Sequence, residues 1–269
     1  MKIRAITIGQ KIPFLIDDES LESTMKEKLE NFFIFNRDLI ENLDNLGIKV
    51  QTKRICSQPM LSYEQQLYQK NLNETLERLH DQLSILERLI KRYDIDYLAA
   101  CTLLADQQIP KYGVYEKLFL NEAPQFIKRK EKFFTSLQVA SSDNGINLSA
   151  IRSAAKIIKN LSQPDPFNNL KFCLSSNVQP DTPFFPAAYH LSEKSSFGLA
   201  LEMADEVVNA FDRSETLKQA QVNLRSRFNE IYENLVPLCE EIGKKYNIKF
   251  HGIDFSPAPY PQPPALARK

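Results

Sequence analysis

Glycine is scarce in this sequence, with 7 residues in 269. None of them sits in a Gly-rich phosphate loop of either familiar spacing, which excludes a standard nucleotide-binding enzyme. An excess of one charge is also missing. Thirty-four basic residues balance 34 acidic ones, so no global field favours nucleic acid, a membrane surface or acidic ligands. No apolar run approaches the roughly 18 residues of a membrane span. The apolar stretch from Met1 to Gly9 is too short for a signal peptide. Cys56, Cys101, Cys173 and Cys239 form no CxxC pair; scattered in this way they read as reduced, mostly buried thiols. What remains is a soluble cytoplasmic protein without nucleic-acid or membrane partners.

The composition, 43% hydrophobic and 25% charged, is that of an ordinary globular chain. Its length suits one large domain or two small ones. We expect a single α/β domain over residues 1–256 and a proline-rich, extended tail over residues 257–269. Strands are expected at 2–9, 48–56, 96–104, 133–140, 170–175 and 248–254. Between them lie helical patterns. Ser20 precedes one carrying Leu21, Met25, Leu29, Phe32 and Leu39, and Gly47 sits where its C-cap belongs. Asn147 precedes another, carrying Ile151, Ala154, Ala155, Ile158 and Leu161. Phe197–Phe211 reads as an amphipathic helix, and Glu215–Tyr246 as a longer one that Pro237 kinks or splits.

The clearest periodicity is Leu72, Leu76, Leu79, Leu83, Leu86, Ile90 and Tyr93. It suits either a helix laid on a sheet or a coiled-coil seam between subunits. The basic run Lys128–Lys132 reads as a solvated helix face. Strands alternating with helices imply a parallel sheet with helices covering both faces. Ligands of such folds gather at the carboxyl ends of strands. Those ends here read Ser57–Gln58, Asp106–Gln107, Ser141–Asn144, Ser175–Asn177 and Asp254–Ser256.

The chain is organised around Pro180–His190, where three prolines fall within seven positions. Proline fixes φ and removes a donor, so this is neither helix nor central strand. Phe184 and Phe185 are expected to be buried, holding Asp181, Tyr189 and His190 on a stiff loop. Such loops are where sites are built; the alternative is a packed connector whose histidine satisfies a backbone group.

Six collinear segments carry a resemblance to a known family. They are Ile3–Gly9, Gly47–Ile55, Ser142–Ile146, Pro183–His190, Ser196–Leu199 and Gly252–Pro259. The sequence resembles the uncharacterised bacterial and archaeal family called domain of unknown function seven-hundred-and-eleven. That resemblance implies a pyruvate formate-lyase-like α/β barrel, of which six strands would form a part with long helices packed outside. Family members continue further beyond the Gly-Ile-Asp segment, and no glycyl-radical motif follows it here, which argues against radical chemistry.

The candidate catalytic groups are His190, Asp181, Asp254 and Tyr189. Asn177, Asp143, Ser256 and His251 are candidate ligand-binding groups. Two histidines with Asp181 or Asp254 suit a general base held by a carboxylate, or a metal site, and no local spacing decides between them. Asp254 equally suits a turn cap, and Asn177 and Asp143 equally suit Asx-turns. Cys173 has no neighbouring base to activate it. These residues point to a small-molecule enzyme, hydrolytic or lyase-like, with no cofactor specified. The alternative is a non-catalytic binding or assembly subunit whose barrel a partner chain completes. An open barrel edge and the heptad-like helix lead us to expect a homodimer.

Overall fold

The computed structural model describes residues 1–13, 21–59, 72–107 and 123–257. The expected cap Ser20, the middle of the irregular 105–132 stretch and the proline-rich tail beyond Pro257 lie outside the described residues, as do the side chains of Leu72 and Leu76. The chain runs β1 (Lys2–Gly9), α1 (Leu21–Asn45), β2 (Lys49–Cys56), α2 (Leu72–Arg92), β3 (Tyr97–Ala99), β4 (Leu103–Leu104), β5 (Phe133–Ser141) and β6 (Gly145–Ile146). It continues with α3 (Leu148–Leu161), a 3-10 turn (Pro166–Lys171), β7 (Phe172–Ser176), β8 (Ser196–Leu201), α4 (Ala204–Asp212), α5 (Leu217–Lys245) and β9 (Lys249–Asp254).

Among the described residues nine strands form one sheet whose spine is β4-β5-β3-β2-β1-β8-β9, with β6 and β7 also paired to β5. β1, β2, β3, β5 and β7 run parallel, as expected. β8 does not. It pairs antiparallel with β1, Gly9 lying opposite Ser196 and Ala5 opposite Ala200, and β9 follows β8 in parallel. The sheet is therefore mixed, and the end of β9 lies level with the start of β1. The last of the expected carboxyl ends, Asp254–Ser256, is thus on the opposite rim from the other four.

β8 itself corrects the expected helix at Phe197–Phe211. All six residues from Ser196 to Leu201 are buried, and Phe197 packs between Phe35, at 4.9 Å, and Phe250, at 5.0 Å. A strand buried on both faces loses its polar alternation, so periodicity cannot separate it from helix. Only the second half of that stretch is helical, as α4. The expected strand over 96–104 is interrupted at Cys101, whose φ of 58° breaks the ladder between β3 and β4. Pro237 leaves α5 as one helix, anchored by buried Ile231, Leu235, Cys239 and Ile242. Gly47 takes the expected left-handed turn at φ 73°, and Asn147 caps α3 by accepting from the Ala150 amide.

Helices α1, α2, α3 and α5 share one apolar cluster with Ile6, Ile8, Ile55, Leu137 and Leu199. Within α2, Leu79, Leu83, Leu86, Ile90 and Tyr93 all point into that cluster. Over its described part, from Leu79 to Tyr93, the heptad-like stripe is the inward face of a helix laid on a sheet. The intervening strand residues face the other way. Cys56 and Ala99 meet Ala188, Phe134 and Phe185 in a smaller cluster. Helices thus cover one face, while the proline loop rather than a helical layer covers part of the other. Among the described residues no helix is long and apolar enough to cross a membrane.

Candidate functional site

The proline loop is tied to the sheet by backbone groups. The Asp181 amide donates to the Tyr189 carbonyl at 2.8 Å, closing the loop on itself, and the His190 amide donates to the Ser57 carbonyl at 3.0 Å. The Thr7 hydroxyl donates to the Pro183 carbonyl at 3.1 Å. Asp181 sits at φ 64°, a left-handed conformation that aspartate tolerates better than most side chains. The phenylalanines depart from expectation: Phe184 is 49% exposed and Phe185 half-buried. Phe184 faces a groove instead of the core.

His190 has no exposed surface. It rests on Gly9, where a Cβ added to the glycine would come within 2.5 Å of His190 Nδ1 and 3.0 Å of its Cγ. Only a residue without a side chain leaves room there. Nδ1 bonds Asp181 Oδ1, while Nε2 is buried without a hydrogen-bond partner. Asp181 Oδ1 also accepts from the Ser196 hydroxyl, and Oδ2 from the Ser192 hydroxyl, each at 3.2 Å. On its far side Oδ2 lies 3.6 Å from His251 Nε2. One carboxylate therefore bridges a buried imidazole and a second one that reaches solvent.

That second imidazole opens into a groove of about 540 Å³, walled by Pro183 and Phe184 of the loop, floored by Gly198, and closed by Asp254 and Ser256. Burial disfavours the Asp181 anion, but the His190 hydrogen bond and the charges of His190 and His251 outweigh it, holding the carboxyl below its usual range. At His251 burial is the largest influence and the shift is also downward. Desolvation depresses its basicity, Asp181 opposes that, and Lys249 and His190 reinforce it; the net direction is down. Near neutral pH the groove thus presents a neutral imidazole backed by a carboxylate. That is the arrangement of a general base.

The predicted residues divide. Asp181, His190, His251, Asp254 and Ser256 come together. Asp254 Oδ1 accepts from the Ser256 amide at 2.8 Å, so it caps the turn as well as lining the groove. Tyr189 stands apart: its hydroxyl donates to the Val178 carbonyl at 2.8 Å. Burial, reinforced by Asp106 and Asp181, pushes its phenol up to about 12. Asn177 and Asp143 do not line the groove; they lie where β5 and β7 end. There Asn177 Oδ1 accepts from the Ser142 amide and hydroxyl at 3.0 and 3.2 Å, and Asp143 is exposed in the β5–β6 turn. Cys173 is half-buried, and desolvation raises its thiol above the ordinary value. Among the described residues no group of three or more His, Cys, Asp or Glu side chains converges to hold a metal ion; the two histidines sit on opposite oxygens of Asp181.

Residue-type reasoning missed Gly9, Ser196 and Ser192. Gly9 and Ser196 do lie in the collinear segments noted above, and that was the signal available for them.

Fold and groove together define a mixed α/β protein with a carboxylate-bridged histidine pair beneath a rigid loop. The chain belongs to the family described as Uncharacterised ACR (DUF711), whose model matches residues 1–265. It is 24% identical over 268 residues to a UPF0210 protein of Sulfurisphaera tokodaii, covering 97% of this chain and 57% of that protein. It is 23% identical over 280 residues to a UPF0210 protein of Lactobacillus helveticus, and 21% over 282 to one of Methanocaldococcus jannaschii, each covering 97% of this chain and 58% of the relative. The chain thus spans less than three-fifths of the length of these relatives.

Proposed function

We propose that this chain carries an acid–base site for a small molecule, with His251 as the proton-transferring group and a hydrolytic or lyase-like reaction. Asp181 orients His251 and balances the cation formed when it accepts a proton. His190, wholly buried, is a positioning residue that acts through Asp181. The observation that carries this reading is the bridge from buried His190 through Asp181 to the groove-facing His251. The four unpaired cysteines support a reducing, cytoplasmic setting. The test is a panel of chromogenic esters, lactones and β-elimination substrates, assayed from pH 5 to 9 with the wild-type chain and His251→Ala. The expected result is turnover of at least one substrate that rises with deprotonation of His251 and falls at least a hundredfold in the variant. Turnover that the variant retains, or none on any substrate, removes the enzyme reading.

A second reading, an assembly subunit, is supported by the sheet itself. Among the described residues β7 pairs only with β5, and β9 only with β8, so each leaves an unpaired backbone edge. Pairing of these edges in a homodimer, or with a second chain, would extend the sheet towards a barrel. Light scattering decides: a monodisperse monomer at micromolar concentration removes the homodimer.

A further inference from the structure

Between α1, β2 and the residues that follow α2 lies a second cavity, of about 410 Å³, which shares no residue with the histidine groove. One face of α1 walls it: Phe33, Asn36, Ile40, Glu41 and Asp44 recur at helical spacing and all line it. Tyr93 adds a second ring, its centroid 5.9 Å from that of Phe33. Asn36 is the most buried residue of that face, 4% exposed. Its Oδ1 is buried without a hydrogen-bond partner among the described residues, a costly state for a polar atom. The charges on the walls are uneven. Lys53 is taken by Asp94, and Arg37 lies over the Phe33 ring, 5.9 Å from its centroid. Exposed Glu41 and Asp44 have no ion-pair partner among the described residues. Asp44 stands in the last turn of α1, which carries no basic side chain although the helix dipole concentrates negative charge there.

We propose that this cavity is a second binding site, for a small primary amine with an apolar body and a hydroxyl at its far end. The ammonium pairs with Glu41 and Asp44 at the negative end of α1, where no basic side chain of that turn competes. The body lies along Phe33, Ile40 and Tyr93. The hydroxyl meets Asn36; because it both donates and accepts, it satisfies the amide whichever way the amide is turned. A rise of about 1.5 Å per residue puts Asn36 about 7–12 Å along the helix from the two carboxylate positions. One small ion does not bridge that distance, and an elongated molecule does. Arg37, next to Asn36 in sequence, disfavours a second cation at the amide end, which selects an amino alcohol or aminophenol over a diamine. The site stands whether or not the histidine groove is catalytic.

The experiment is a calorimetric titration of the wild-type chain at low ionic strength with three probes. Tyramine carries an ammonium and a hydroxyl at opposite ends of an apolar body, phenethylamine lacks the hydroxyl, and hydroxyphenylpropionate replaces the ammonium by a carboxylate. We expect saturable binding of tyramine, about tenfold weaker binding of phenethylamine, and none of the propionate. Replacing both exposed acids, Glu41→Gln with Asp44→Asn, should weaken tyramine about tenfold. Asn36→Leu should make tyramine and phenethylamine bind alike. Should that variant fail to fold, shifts of the Phe33 and Tyr93 ring protons on adding tyramine to the wild-type chain place the ligand instead. No saturable binding of either amine, or a propionate that binds as well as tyramine, overturns the proposal. So does equal affinity for the two amines in the wild-type chain, or full tyramine affinity in the folded Glu41→Gln, Asp44→Asn variant.

Discussion

Replacing Gly9 by alanine tests the geometry of the histidine pair directly. The new methyl would lie 2.5 Å from His190 Nδ1, 3.0 Å from Cγ and 3.2 Å from Cβ, and His190 has no free surface into which to retreat. Overpacking of this kind costs about 1–3 kcal/mol. Displacing the ring also breaks its hydrogen bond to the Asp181 carboxylate, a further loss of about 1.5–3 kcal/mol. Against this, the lost flexibility of the unfolded chain returns about 0.4–1 kcal/mol. The net expectation is a destabilisation of about 2–5 kcal/mol, read from urea unfolding as a lower midpoint with unchanged slope. Combining Gly9→Ala with His190→Ala removes the two closest clashes, so adding the alanine at 9 to that background should cost less than about 1 kcal/mol. Additive losses, or a single variant within about 0.5 kcal/mol of wild type, would show that His190 is not wedged against β1.

Other outcomes follow from the same contacts. His251 should titrate by NMR below the ordinary histidine range, and Asp181→Asn, which removes the group opposing that depression, should lower it further; an upward shift contradicts the bridge. Because the Asp181 pKa is held below its unfolded value, its stabilisation is complete above about pH 4 and is lost as pH falls through the lower folded value. Wild type and Asp181→Asn should therefore converge in stability in acid, and a gap that does not narrow as pH falls below about 4 refutes the linkage. Phe35→Ala should cost about 3–5 kcal/mol, because the ring is fully buried against Phe197 and Tyr246; midpoint shifts in urea report it. Native-state labelling with a maleimide should reach half-buried Cys173 before Cys101 and Cys239, whose thiols burial pushes up to about 12.

Much of the parallel core was legible in the sequence because local signals and tertiary burial agree there. Asn147 is a cap in pattern and in fact, and the α2 leucines keep helical spacing because a single face of that helix is buried. Ser196–Leu201 went astray where the two levels separate. A strand buried on both sides carries no alternation, and its reversed direction depends on a pairing partner at the far end of the chain. The same reversal moved Asp254 and Ser256 off the shared rim. They nonetheless reach the histidines, because the groove runs along the sheet face rather than across one rim. Phe184 misled for another reason: aromatic rings in a proline-stiffened loop suggested a core, but the loop uses this ring as an exposed groove wall. Nothing in residue types alone distinguishes buried His190 from groove-facing His251. Their unequal exposure is set by Gly9 and by the bulge that places His251 between Phe250 and Gly252.

The antiparallel joint between β1 and β8 also bears on how the chain is made. β1 can pair with β2 once the first helix has emerged, but its other neighbour, Ser196–Leu201, is about 190 residues further along. At about 5–20 residues per second, the ribosome leaves that flank of β1, with Ile3, Ile6 and Ile8, unpaired for roughly 10–40 seconds. The central strand of the finished sheet is therefore an edge through most of its own synthesis. The link that closes it is long-range and slow to form, so nascent chains of this protein need shielding on that flank until residue 201 has left the exit tunnel.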